Sequence, residues 1–312
     1  MNAHQKFNQL AEQVTQEVIA QLEQGSVLWR QPWTSYGLPR NHVSGRRYEG
    51  FNALYLNYIT EKNNYTAPCF LTFKQAQELG GHVRKGEKGT TVIYWKIREE
   101  KAGEDTTGQA EGDGGTHGRK FVSFLWSVFN VDQVEGIDFA PPASCERTAW
   151  QVLEACERVA GNYPVPRPLI RHGGSQAYYA PACDRVQLPD PKSFVSSQAY
   201  HATLFHELIH STGHPSRLNR FAEEEKASRF GDDSYSKEEL IAEMGASFLC
   251  AFTGIREEVF ENSVAYLQGW AGKFKEDRTM LIYASARAFR AAAFILDLQA
   301  EENRGVLPAM AA

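Results

Sequence analysis

The five residues His206-Glu207-Leu208-Ile209-His210 constrain this chain more than any other stretch of it. They sit in the run SSQAYHATLFHELIHSTGH, residues 196–214, whose apolar spacing predicts a helix. Side chains four apart share a helix face, so both imidazoles aim at one point, as two ligands of a tetrahedral Zn2+ ion must. Glu207 falls beside that point. Leu204, Phe205, Leu208 and Ile209 cover the rest of the helix and require burial. The chain therefore has to fold around an interior helix that turns one polar face to a cleft. A third protein ligand would leave one coordination position open, where water is acidified toward neutrality and Glu207 can act as general base. H-E-x-x-H also arises by chance on ordinary helices, so the third ligand decides between a metal site and a histidine-bearing core helix.

About thirty residues on, Ser236-Lys237-Glu238-Glu239-Leu240-Ile241-Ala242-Glu243-Met244-Gly245-Ala246 predicts a second helix with Glu239 and Glu243 on one face. A carboxylate among apolar neighbours needs a partner, because desolvating it alone is too costly. Zn2+, or another divalent cation such as Mn2+, would be that partner. Glu239 as ligand, Glu243 as ligand, and both carboxylates in water beside Lys237 or arginines are all open arrangements. The E-x-x-A-E spacing resembles the second motif of gluzincin metallopeptidases. That resemblance implies Glu239 as the metal ligand and Glu243 as acceptor of a hydrogen bond from a ligand histidine. His214 follows the helix breaker Gly213, which favours a structural or substrate-facing place for it, and His201 falls on another face. Ser216 stands where a metzincin motif needs histidine. Peptide-bond hydrolysis is the expected reaction. Gln176–Ala180 reads as an edge strand open to an extended peptide, with Tyr178 and Tyr179 as packing residues or oxyanion donors.

At 312 residues the chain is long enough for two domains. A stripe of Phe7, Leu10, Val14, Val18, Ile19 and Leu22 predicts a first helix, and Asn52–Glu61 and Thr72–Leu79 predict two more. Thr90–Arg98 and Arg119–Asn130 are rich in β-branched and aromatic residues and predict a β-hairpin. Between them, six of the eighteen residues 101–118 are glycine, the composition of a mobile tip. The prolines of Ile137–Ser144 mark a boundary. A helix at 146–160, short strands and then a mostly helical run follow it. The expected fold is α+β in two domains, residues 1–140 and 145–312: a mixed α/β half with a hairpin, then a mostly helical half with a small sheet. No stretch approaches the roughly 18 apolar residues that span a bilayer, and the N-terminus lacks the pattern of a secretory signal, so no membrane partner and a cytoplasmic location are expected. The five cysteines, Cys69, Cys145, Cys156, Cys183 and Cys250, are scattered and are expected to be buried apolar residues.

The net charge of -5 conceals a basic region: from Gly25 to Arg98 there are eleven Lys and Arg against four Asp and Glu. Aromatic residues alternate with those cations. Rings stack on bases of any sequence while Arg and Lys follow phosphates, so the combination suits single-stranded nucleic acid; an ordinary aromatic core with a solvated basic rim is the alternative. Candidate contacts are Trp29, Trp33, Arg46, Arg47, Tyr48, Lys74, Arg84, Lys85 and Lys88. Gly81–Gly86 imitates the start of a phosphate-binding loop, but Glu87 replaces the essential lysine.

Three longer runs carry a resemblance: Asn41–Asn52 (NHVSGRRYEGFN), Leu71–Ala76 (LTFKQA) and Gly81–Thr90 (GHVRKGEKGT). They resemble the N-terminal domain of ArdC-type antirestriction proteins, a domain similar to ones in conjugative-plasmid primases. HELIHSTGH and EELIAEMGASFL look like the zincin-like metallopeptidase domain that follows it in that family. The resemblance implies a plasmid-borne protein that binds single-stranded DNA and protects incoming DNA from restriction during conjugation. It does not supply the peptidase substrate; tethering the peptidase to a DNA-binding half concentrates it around proteins on the same strand, so a DNA-associated host protein is the expected target. The rival expectation is a DNA-coating protein whose metal only staples the fold.

Overall fold

Helix α1 (Ala3–Glu23) forms on the stripe expected of it: Phe7, Leu10, Val14, Val18 and Leu22 are all buried. A computed structural model describes residues 3–25, 27, 29, 37–99, 119–141, 147–221, 234–255 and 264–298. The glycine-rich tip 101–118, Trp33, Cys145 and residues 142–144 of the proline boundary lie outside the described residues.

The N-terminal half is a four-stranded sheet with helices against it. Strands β1 (Arg40–Asn41) and β2 (Cys69–Thr72) pair in parallel, and the long hairpin of β4 (Thr90–Glu99) and β5 (Arg119–Asn130) extends the order to β1-β2-β5-β4. Helix α2 (Gly50–Lys62) is buried along nearly its whole length. Asn52 ties it to the sheet, donating to the Ile93 carbonyl at 2.7 Å and accepting from the Ile93 N–H at 2.8 Å. Helix α3 (Phe73–Glu78) opens with a reciprocal cap between Thr72 and Gln75, and a small ribbon of β3 (His82–Val83) with β6 (Val134–Glu135) closes this half.

The C-terminal half opens with α4 (Ala149–Gly161) and a three-stranded sheet, β7 (Leu169–His172), β8 (Tyr178–Ala180) and β9 (Arg185–Leu188), in the order β7-β9-β8. Helices α5 (Ser197–Ser211), α6 (Ser234–Thr253), α7 (Val264–Glu276) and α8 (Met280–Ile295) follow, with α6 packed against both α5 and α8. Gly245 permits the first of these contacts: a Cβ there would lie 2.7 Å from Ile209 Cδ1. The molecule is thus a two-domain mixed α/β protein, as the sequence predicts.

One expectation changes. A boundary at the prolines predicts few contacts between the halves, yet the larger of two apolar core clusters contains residues of both, the smaller lying within the N-terminal half. Helix α1 packs on α7 and α2 packs on α8, where Gly50, at φ +52°, approaches the backbone so closely that a Cβ would stand 3.2 Å from Ala286 Cα. Cys69, Cys156 and Cys250 are buried as expected, but Cys183 is exposed. Among the described residues no helix is long and apolar enough to cross a membrane.

Candidate metal centre

Ser196 starts the central helix α5 by accepting from the Ala199 N–H at 3.0 Å, and Leu204, Phe205, Leu208 and Ile209 anchor it in the core. What remains is its polar face. His206 Nε2 and His210 Nε2 stand 3.1 Å apart. Glu239 of α6 reaches both, Oε2 at 3.5 Å from His206 Nε2 and Oε1 at 3.4 Å from His210 Nε2. Ligands about 2.0–2.2 Å from a single tetrahedral ion stand roughly 3.3–3.6 Å apart. The two carboxylate distances fall in that range and the two imidazole nitrogens stand slightly closer, so these three side chains form a donor set that one divalent cation fits with a small adjustment.

Glu238 is the residue sequence reasoning missed. Its Oε1 lies 3.3 Å from His210 Nδ1, so His210 meets Glu239 with one ring nitrogen and Glu238 with the other. Adjacent residues on a helix point about 100° apart, which lets two successive carboxylates of α6 embrace one imidazole. Arg220 fixes Glu238 from behind, donating from Nε at 3.1 Å and Nη2 at 2.6 Å. The same buried guanidinium donates to the Ile209 carbonyl at 3.0 Å and to Thr212 Oγ1, so it also caps the end of α5. No spacing signal links residue 220 to 238. Glu243, expected from the gluzincin pattern to receive the histidine hydrogen bond, instead accepts one from Trp29 Nε1 at 2.8 Å.

The charges of the site follow from these contacts. Burial pushes the His210 pKa down, but the hydrogen bonds and charges of Glu238 and Glu239 outweigh it and raise the value to about 10. Burial opposes ionisation of Glu239 as well, yet the two histidines hold its carboxyl far below the usual carboxylate range. Glu207, 6% exposed, goes the other way: burial raises its pKa, partly offset by His206 and His210 and by a hydrogen bond from the Tyr179 N–H.

A cation entering the triad must displace the His210 proton, so its uptake releases one. Because Glu239 stays ionised, Mn2+ affinity is expected to rise about tenfold per pH unit between pH 6.5 and 7.5, levelling off toward pH 10. The raised pKa also means that the stability His210 adds to the metal-free fold is complete below its unfolded pKa, about 6.5, and lost as pH rises through about 10. Calorimetric titration in buffers of differing ionisation enthalpy measures the released proton; a pH-independent affinity would contradict this account.

Beside the triad, Tyr179 is committed to structure. Its hydroxyl donates to Asp184 Oδ1 at 2.7 Å and accepts from Arg217 Nη2 at 3.1 Å, which leaves it no role as an oxyanion donor. Arg217 also donates to Asp184 Oδ2 at 3.0 Å and to the Ser211 carbonyl at 2.7 Å, locking the β8–β9 connection onto the end of α5. His214 Nδ1 turns to Ser216, 2.8 Å away, and His201 is buried against Ser197 and Glu157.

The expected nucleic-acid contacts divide. Trp29 is 0% exposed and Tyr48 only 5%, so neither ring can receive a base. Lys85 and Lys88 are exposed in the turn before β4, Lys74 pairs with Glu78 at 3.7 Å, and Arg84 pairs with Glu87 at 2.7 Å. Arg46 is half-buried, and Arg47 lies over the Phe252 ring of the other half, 5.4 Å from its centroid. The exposed rings are elsewhere. Tyr94 and Phe124 oppose one another across β4 and β5, and Trp126 follows on the same face; they are 39%, 40% and 36% exposed.

A family model for a zincin-like metallopeptidase matches residues 166–287, and one for the N-terminal domain of the anti-restriction factor ArdC matches residues 8–129. DNA primase TraC of Escherichia coli is 34% identical over 304 residues, 93% of this chain. The chain spans only 27% of that relative's length. The uncharacterized protein y4eC of Sinorhizobium fredii is 32% identical over 94% of this chain and 93% of its own. Among solved structures, the metal-free antirestriction protein ArdC from plasmid R388 is 35% identical, with a TM-score of 0.68 over 92% of this chain and 97% of that one. Its Mn(II)-bound form matches over the same shares at 34% identity, with a TM-score of 0.69. With both halves matched in order, and one structure of this type aligned almost end to end, the chain belongs to the ArdC-type antirestriction proteins.

Proposed function

We propose that this protein defends incoming plasmid DNA from restriction during conjugation by binding it single-stranded and cleaving a DNA-associated host protein. The two activities divide near residues 140–145. The observation that carries the hydrolytic half is the triad His206, His210 and Glu239 at ligand separations, with a buried Glu207 beside it. Zn2+ is the proposed physiological ion and Mn2+ the alternative. A divalent cation there supplies Lewis acidity toward a carbonyl and lowers the pKa of water. Glu207, raised above the ordinary carboxylate range by burial, takes the proton of the attacking water and hands it to the departing amine nitrogen. Glu238 and Arg220 hold His210 in orientation. Strand β8 is the edge of its sheet and meets Glu207 through the Tyr179 N–H, a setting in which an extended peptide pairs beside the reacting groups.

For DNA, the exposed face of β4 and β5 replaces the buried rings. Tyr94, Phe124 and Trp126 offer three rings, with Arg46 close enough to Tyr94 to offset part of the burial effect on its hydroxyl. Stacking of one base contributes about 1–3 kcal/mol, so Trp126→Ala is expected to weaken binding of a labelled oligothymidylate about 5- to 150-fold. Fluorescence anisotropy at 50 and 200 mM salt checks both this loss and the steep salt dependence that phosphate contacts impose. An unchanged, salt-insensitive affinity would remove single-stranded DNA from the proposal. The cytoplasm, where plasmid DNA enters, is the proposed location.

A further inference from the structure

Arg217 stands six residues past the end of α5, and its side chain is wholly buried, a costly place for a guanidinium unless its donors are matched. All of them are. Nε donates to the Ser211 carbonyl at 2.7 Å, and Nη1 to the Pro166 carbonyl at 3.1 Å and Asp184 Oδ2 at 3.0 Å. Nη2 donates to the Tyr179 hydroxyl at 3.1 Å and to Asp184 Oδ1. One planar fork thus joins the last residue of α5, the segment before β7, strand β8 and the turn between β8 and β9. Asp184 is held there at φ +45°, in the left-handed region, and Arg217 keeps its carboxyl below the usual carboxylate range. Tyr179 spans the distance from this hub to the metal centre: its hydroxyl is fixed in the hub, and its backbone N–H goes to Glu207.

We propose that Arg217 is a positioning residue for Glu207: through the Tyr179 hydroxyl and Asp184 it fixes edge strand β8 at the distance from α5 at which the Tyr179 N–H meets the Glu207 carboxylate. The inference rests on the hydrolytic reading of Glu207. Glu207 and β8 belong to different elements, so the helix alone does not set their separation. The hub does, because it grips the end of α5 and the Tyr179 side chain at once. A carboxylate that accepts an amide N–H at a fixed place keeps one orientation, and the same strand offers its free edge to an extended peptide. Lysine would keep the charge of Arg217 but lose the fork, since a single ammonium cannot reach all of these acceptors. Loosening the hub would therefore let β8 recede and Glu207 turn, with every group of the metal triad still in place.

Hydrogen exchange at the Tyr179 amide tests this, read by NMR on metal-free, full-length protein carrying isotopically labelled tyrosine. No peptide enters the measurement, so failure here would be distinct from failure of the hydrolase reading. Arg217→Lys is expected to speed Tyr179 exchange about 10- to 150-fold, the range for losing a hydrogen bond to a charged acceptor. The Tyr200 amide, bonded to the Ser196 carbonyl at 3.1 Å in the first turn of α5, is the internal reference and should hold its rate. Glu207→Gln keeps the shape of the acceptor without its charge, and should speed Tyr179 exchange about fivefold. In the double variant the two factors should not multiply, because the bond is already lost with Arg217. A merely structural Arg217 would lower the melting temperature, speed exchange at Tyr179 and Tyr200 alike and leave the response to Glu207→Gln intact. That result would overturn the proposal, as would unchanged Tyr179 exchange in Arg217→Lys. Should Arg217→Lys fail to fold, Asp184→Asn carries the test, since asparagine tolerates the left-handed backbone and deletes only the charge that Arg217 pairs with. Tyr179 exchange about tenfold faster is expected in that variant, and an unchanged rate overturns the proposal as well.

Discussion

Glu207→Gln is expected to abolish peptide hydrolysis while leaving metal uptake intact. Glu207 is outside the triad, so its loss removes no donor atom, and glutamine preserves its volume in a buried position. What it removes is the group that can take and return a proton, a contribution of about 10²- to 10⁴-fold in rate. Mn2+ titration and degradation of candidate DNA-associated proteins, with and without single-stranded DNA, read the two effects separately. If the variant still protects unmodified DNA in a conjugation assay as well as the parent, proteolysis is not how protection works. The same chain then acts by coating the strand, and its metal serves the fold.

The side chains of the candidate metal centre were legible largely because local geometry carries them. His206, Glu207 and His210 are related by helical spacing alone; Glu239 and Glu243 stand out together as carboxylates on one apolar face, and only the gluzincin resemblance favours Glu239 of the two. Glu238 and Arg220 were not legible, since their meeting depends on how the turn after α5 returns to α6, a tertiary relation between residues 18 apart in sequence. Trp29 was misread for a related reason. Aromatic and basic residues close in sequence look alike whether a ring faces solvent or core. What buries Trp29 is α7 and Glu243, more than two hundred residues away. The hairpin shows the converse. Its two strands were evident from composition, but which rings share an open face follows only from the register that sets Tyr94 opposite Phe124. Domain number was legible from length and from the two kinds of pattern. The shared core was not, because α1 and α2 bury their stripes against helices from the far end of the chain.

Glu239→Ala and Glu243→Ala should separate sharply, although both delete a carboxylate from the same face of α6. Outer groups that only orient a ligand typically contribute about 10- to 100-fold to metal affinity, and removal of a ligand itself exceeds that range. Glu239 faces both imidazoles within 3.5 Å, so its loss is expected to reduce Mn2+ and Zn2+ affinity by more than a hundredfold. Glu243 faces Trp29 instead, and its loss should fall near the lower end of the orienting range. A further consequence distinguishes the two. Glu239 is one of two carboxylates that keep His210 protonated in the absence of metal, so Glu239→Ala should bring the His210 pKa down from about 10 toward the ordinary histidine range. Glu243→Ala should leave that titration unchanged. Metal content after dialysis, followed by NMR titration of the histidine ring protons in the metal-free proteins, measures both. The reverse result, with metal lost from Glu243→Ala and kept by Glu239→Ala, would transfer the ligand role one turn along α6. It would require the helix to rotate or slide from the position in which Gly245 meets Ile209. That close approach leaves little room for either movement, and it is the helix contact, more than the motif, that supports Glu239 as the proposed third ligand.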